Sequence, residues 1–218
     1  MPINIRVLRK KIRTELKTED LLSLLDRAVE LIPQEHLSEL IENFFDPDSL
    51  NLVDETSEQV LLVEVRIFFE ESMSGVYYED FQVNSHNFMD LSRGTINFIA
   101  EFQRLMQRCI DESETGDLTE IREAFEMLIN LLDEIDECRD DIIFFADEAG
   151  SWQVGVDWNR VLPYYFKSLA AIAKPEEYAQ NIVELVRKHV DYNSDEHLQQ
   201  ALKIANSSQK KALKSLMK

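Results

Sequence analysis

From Leu118 to Ile142 apolar residues recur at helical spacing, at Leu118, Ile121, Phe125, Leu128, Leu132, Ile135 and Ile142, with one doubled step that contains Cys138. No glycine or proline interrupts the chain until Gly150. A period near 3.6 residues places these side chains on one face of an α-helix. The spacing therefore predicts one long helix, with a break near Asp140. A rod of this kind needs other helices to cover its apolar face, and the rest of the chain supplies them. Only 5 Gly and 5 Pro occur in 218 residues, too few for the tight turns of an all-β fold.

Before the long helix, the first 45 residues read as three helices. Ile5, Leu8, Ile12 and Leu16 give the first, Thr18 is the expected cap of the second, and Pro33 opens the third. A longer helix is expected from about 55 to 72, apolar almost all round and therefore central. Between Met73 and Ser92 the pattern loosens into an aromatic-rich connector, with a short helix near Ser85. Thr95, after Gly94, is the expected cap of a helix through Ile96, Phe102 and Cys109.

After Gly150, Trp152, Val154, Val156 and Trp158 alternate with polar or small residues, the pattern of a short extended segment. Asp157 is placed to cap the next helix, which Pro163 kinks or starts. Pro175 and Ser194 open two more, and residues 206–218 close the chain. The reading is an all-α single domain, 1–218, with a soft subdivision near 73–92. It is either an irregular helix bundle or a degenerate helical-repeat (α-solenoid-like) stack of antiparallel helix pairs.

Charge narrows the function classes. The chain carries 42 acidic and 23 basic residues, a formal net charge of −19, which disfavours direct binding to nucleic acid and to anionic membranes. No run of 18 apolar residues and no secretory signal occurs, so a cytoplasmic location is expected. The 15 acids between Asp111 and Glu148 face only Arg122 and Arg139. On a helix whose apolar stripe points inward, Glu123, Glu126, Asp133, Asp136, Glu137 and Asp140 are expected to point outward, as a solvated face or a docking surface for a basic protein. Such a surface also suits an acidic nucleic-acid mimic. The basic residues cluster at the two ends, six of them within residues 1–17, which suggests self-association of ends against middle.

Catalytic signatures are sparse. Glu120-Ile-Arg-Glu123 and Glu137-Cys-Arg-Asp140 resemble the carboxylate pairs with which all-α nucleotide pyrophosphohydrolases hold Mg²⁺. The resemblance implies a Mg²⁺- or Mn²⁺-dependent phosphohydrolase. On one straight helix, however, Glu123 and Glu137 stand about 21 Å apart, whereas Mg²⁺ needs its ligands at about 2.1 Å. His189, Asp191, Asp195 and His197 straddle a turn and could chelate a metal, although an ordinary surface turn explains them equally. The chain has no nucleophile elbow, phosphate loop or dinucleotide fingerprint, and no cofactor is expected.

A non-enzymatic interaction or scaffold module is therefore the leading expectation. Its candidate surface joins the connector to the neighbouring acidic helix. The connector contributes Asp147, Glu148, Trp152, Asp157 and Trp158, the following helix Tyr164 and Tyr165, and the acidic helix Asp136, Glu137 and Asp140. Tryptophan and tyrosine are the favoured anchors of binding surfaces. Two glycines, Gly150 and Gly155, lie in the same connector.

Overall fold

The computed structural model describes residues 3–41, 44, 61–137, 141–146, 150–190 and 192–217. Among these residues the only regular structure is helical: α1 (Ile5–Glu15), α2 (Thr18–Leu31), α3 (Gln34–Ile41), α4 (Leu61–Met73), α5 (Arg93–Glu112), α6 (Leu118–Asp136), a 3-10 turn (Ser151–Val154), α7 (Trp158–Ile172), α8 (Pro175–His189), α9 (Ser194–Ile204) and α10 (Ser207–Leu216). None of the helices is long and apolar enough to cross a membrane.

The core is built outward from α6. Ile121, Phe125, Leu128, Leu132 and Ile135 are buried as their spacing predicts, and Ala124, Ile129 and Leu131 are buried beside them. That wider apolar surface exists because α6 is gripped from several sides, by α4 and α5 and by α7. Phe68 of α4 and Phe98 and Phe102 of α5 form a chain of ring contacts 5.1 and 6.0 Å apart. Beyond α6, α7 touches α8 and α9, and α8 touches α9 and α10, while α2 rests on α5. α1 buries none of its residues.

Polar side chains close the helix ends. Asp117 caps α6 by accepting the Thr119 N–H at 2.7 Å, and that bond holds its carboxyl below the usual range. Buried Gln209 of α10 donates to the carbonyls of Ala170 and Ala173 at 3.0 Å each, satisfying the C-terminal end of α7. Its Oε1 accepts the Asn206 N–H, which completes a capping box for α10. Tyr178 of α8 donates to the Ala201 carbonyl of α9 at 2.8 Å.

Several local expectations are corrected. The long helix stops at Asp136 and does not run on to Asp141, whose neighbour Ile142 turns back into the core. Continued helix would have spread Ile142, Ile143, Phe144 and Phe145 round most of its circumference. In the observed turn Ile142 and Ile143 are both buried. The cap of α5 is Ser92, which accepts the Thr95 N–H at 3.0 Å. Thr95 itself is fully buried and donates to the Phe144 carbonyl at 2.8 Å, pinning that turn. Thr18 is the first residue of α2 and not its cap; Asp20 closes that end by accepting the Lys17 N–H. Residues 85–89 form turns and no helix. Residues 55–60 and Cys138 lie outside the described residues.

Candidate binding cleft

The connector after α6 is not extended. Residues Ser151–Val154 form a 3-10 turn, Gly155 follows in the left-handed region at φ 71°, and α7 begins at Trp158. Of the four alternating apolar residues Val154 alone is fully buried, whereas Trp152 is 69% exposed. The apolar alternation thus reflects a tight turn with one anchor.

Both glycines have a structural reason. Gly155 adopts a backbone angle that L side chains rarely tolerate. Gly150 makes room: a Cβ built there would lie 2.6 Å from Cδ1 of Trp152. The indole therefore lies directly over the glycine. The turn is tied to the end of α6 by Asp136, whose carboxylate accepts the Ser151 N–H at 2.8 Å and the Ser151 hydroxyl at 2.7 Å.

These constraints leave a half-open cleft of about 480 Å³ between the C-terminal end of α6, the connector and the α8–α9 junction. Asp136, Trp152, Asp157 and Trp158 line it, joined by Lys188, His189, Tyr192, Asn193 and His197 from the junction. Trp152 and Tyr192 stand at its rim, 69% and 84% exposed. Trp158 is half-buried and lies against the His189 ring, with centroids 5.3 Å apart. His189 is held from behind, its Nε2 lying 3.0 Å from Asp133 Oδ1. The other oxygen of Asp133 takes Lys188 Nζ at 3.1 Å. That hydrogen bond is the main reason the Lys188 ammonium is held above its usual range.

Two cleft residues have unengaged polar atoms. Asp157 occupies the N-cap position of α7, but its side chain makes no capping bond, contrary to the sequence expectation. His197 is 5% exposed, lines the cleft, and makes no ring hydrogen bond among the described residues.

The remaining candidates fall elsewhere. Tyr165 is buried, packs edge-on against Phe125 at 5.9 Å, and has its phenol pushed up chiefly by desolvation. It lines a second, smaller cleft of about 240 Å³ with Glu126, Asn181 and Glu184. Tyr164 is half-buried against the core. Glu137 is exposed just past α6 and is not among the residues lining the tryptophan cleft. Asp140, Asp147 and Glu148 lie outside the described residues.

The acids of α6 are not the bare outward row that their spacing suggests. Glu123 meets Arg66 of α4 at 2.5 Å. Glu126 meets Arg122, which reaches on to Glu177 of α8 at 2.5 Å. Asp133 and Asp136 are engaged as described above. The carboxylates are cross-links between helices. Glu120 and Glu137 lie at opposite ends of the helix region, so these two carboxylates do not converge, and no group of three His, Cys, Asp or Glu among the described residues could hold a metal ion. Of the four residues that straddle the turn, His189 and His197 both line the cleft, and Asp191 lies outside the described residues.

Sequence reasoning missed Lys188, His189, Tyr192, Asn193 and His197 as partners of the tryptophans. A signal was present in Tyr192-Asn193, an aromatic residue in a turn, but nothing local ties that turn to a connector some forty residues earlier. No protein-family model, curated protein or solved structure matches this chain.

Proposed function

We propose that this chain is a non-catalytic interaction module that grips a basic segment of a protein partner in the Trp152–His197 cleft. The observation that carries the reading is the convergence of two exposed aromatic rings, Trp152 and Tyr192, on a concave site with an unengaged carboxylate, Asp157. Exposed tryptophan over a pocket is costly unless something covers it, and such rings are where binding energy concentrates. The cleft volume lies within the usual ~300–1,000 Å³ of ligand sites. From α4 to α9 each helix touches the next, and several touch the one after, which suits a degenerate helical-repeat stack within one domain, an architecture that offers grooves of this kind. Location in the cytoplasm is part of the same proposal.

The test is selection of a random peptide library on the wild-type protein, with Trp152→Ala as the counter-target. Peptides retained by the wild type and lost on the variant are expected. A library yielding no Trp152-dependent peptide contradicts the reading.

A further inference from the structure

We infer that the group received by the cleft is the guanidinium of an arginine side chain. The inference rests on the reading of the cleft as the binding surface, and it starts from the polar groups left without a partner. His197 lines the cleft, and its ring makes no hydrogen bond among the described residues. A ring nitrogen that carries no proton accepts a hydrogen bond, so this wall of the cleft has room for a donor.

The sign of the ligand follows from the other walls. Among the described residues that line the cleft, Lys188 is the single lysine or arginine, and its ammonium is bound to Asp133 at 3.1 Å. Asp157 carries a carboxylate with no capping bond to make. The unmatched charge of the cleft is negative, so the incoming group is a cation.

Arginine is favoured over lysine by the rim. The exposed faces of Trp152 and Tyr192 can stack a flat guanidinium, which is weakly hydrated and donates five hydrogens in a rigid fork. An ammonium is a strongly hydrated point charge and uses such faces less well. The apolar floor supplied by Leu132 and Val156 suits the methylene stem of the same side chain.

The chain has two tryptophans, Trp152 and Trp158, and both line the cleft. Their indole N–H resonances therefore report on it directly. Blocked pentapeptides carrying arginine, lysine or citrulline at the central position are titrated into the full-length protein. Citrulline keeps the shape of arginine and removes its charge. The arginine peptide is expected to shift both indole resonances saturably, with affinity about tenfold above the citrulline peptide and weaker binding of the lysine one. Asp157→Asn, which removes no capping bond, is expected to leave the fold intact and lower arginine affinity about tenfold. Equal binding of citrulline and arginine, stronger binding of lysine, or no shift overturns the inference. Trp152-dependent library peptides that lack arginine overturn it too, while sustaining the interaction module. A library with no Trp152-dependent peptide removes both.

Discussion

Helix α6 and the connector that follows it both carry carboxylates beside apolar residues, but they leave them in opposite states. On α6, Glu123, Glu126 and Asp133 are each matched by a cation, and through Arg66, Arg122 and Lys188 they tie α6 to α4 and α8. In the connector, Asp157 heads α7 without a side-chain bond, within a cleft rimmed by exposed Trp152. The acidic helix has the greater density of charge, whereas the described carboxylate of the connector, Asp157, makes no capping bond. Charge along a sequence therefore says little about what a surface offers until each group's partner is known. Matched surface pairs add little to stability or recognition, whereas an unmatched carboxylate beside an exposed aromatic ring can be completed by a ligand.

The largest effect that tests this contrast lies on the apolar side of α6. Phe125 is fully buried, and Phe125→Ala is expected to cost about 3–5 kcal/mol, measured as a lower urea midpoint at unchanged slope. A loss below about 1 kcal/mol would remove α6 from the centre of the fold.

Gly155→Ala acts on the connector. It places a Cβ in left-handed backbone at φ 71°, and the expected cost is about 1–2 kcal/mol. A neutral result in the same denaturation assay would mean that the turn is free to reshape.

Asp133→Asn sharpens the contrast within α6 itself, since it releases Lys188 and His189 together. A loss of about 1 kcal/mol is expected. Glu120→Gln, at an exposed site where the side chain makes no ion pair among the described residues, is expected to stay within about 0.5 kcal/mol. Equal effects would contradict the division into tied and untied acids.

Acid extends the same test. Glu177 is held below the usual carboxylate range, first by its hydrogen bond from Arg122, and Asp117 by its bonds at the head of α6. A depressed folded-state pKa contributes stability above the unfolded value and loses it as pH falls through the folded one. Stability from these groups is therefore flat near neutrality and declines below about pH 4. A urea midpoint that rises on acidification would contradict the assignment. The smallest effect is expected at the rim: Trp152→Ala should change stability by less than about 0.5 kcal/mol, leaving any loss of binding attributable to the lost indole.

The helical framework was legible because periodicity records which face is buried. Leu118 to Ile135 placed α6, and Pro175 marked the first residue of α8. Ends were less legible, because a cap is decided by geometry that several nearby residues can provide. Ser92 caps α5 where Thr95 was expected, and Asp157 sits at a cap position without capping. The candidate site was half visible. Trp152, Trp158, Asp157 and Asp136 lie together in the cleft, while Tyr165 points into the core and Glu137 stands apart. The other half of the cleft comes from α8 and α9, and only tertiary packing brings Tyr192 and His197 to the connector.

The most direct measurement compares one Trp152-dependent peptide on two double variants of the whole protein. Trp152→Ala/Asp157→Asn disarms the cleft, and Glu120→Gln/Glu137→Gln removes exposed charge at the two ends of the acidic helix. The expected result is an affinity loss of more than about tenfold for the first and a change within about twofold for the second. The reverse order would place the binding surface on the acidic helix and contradict the assignment of the cleft.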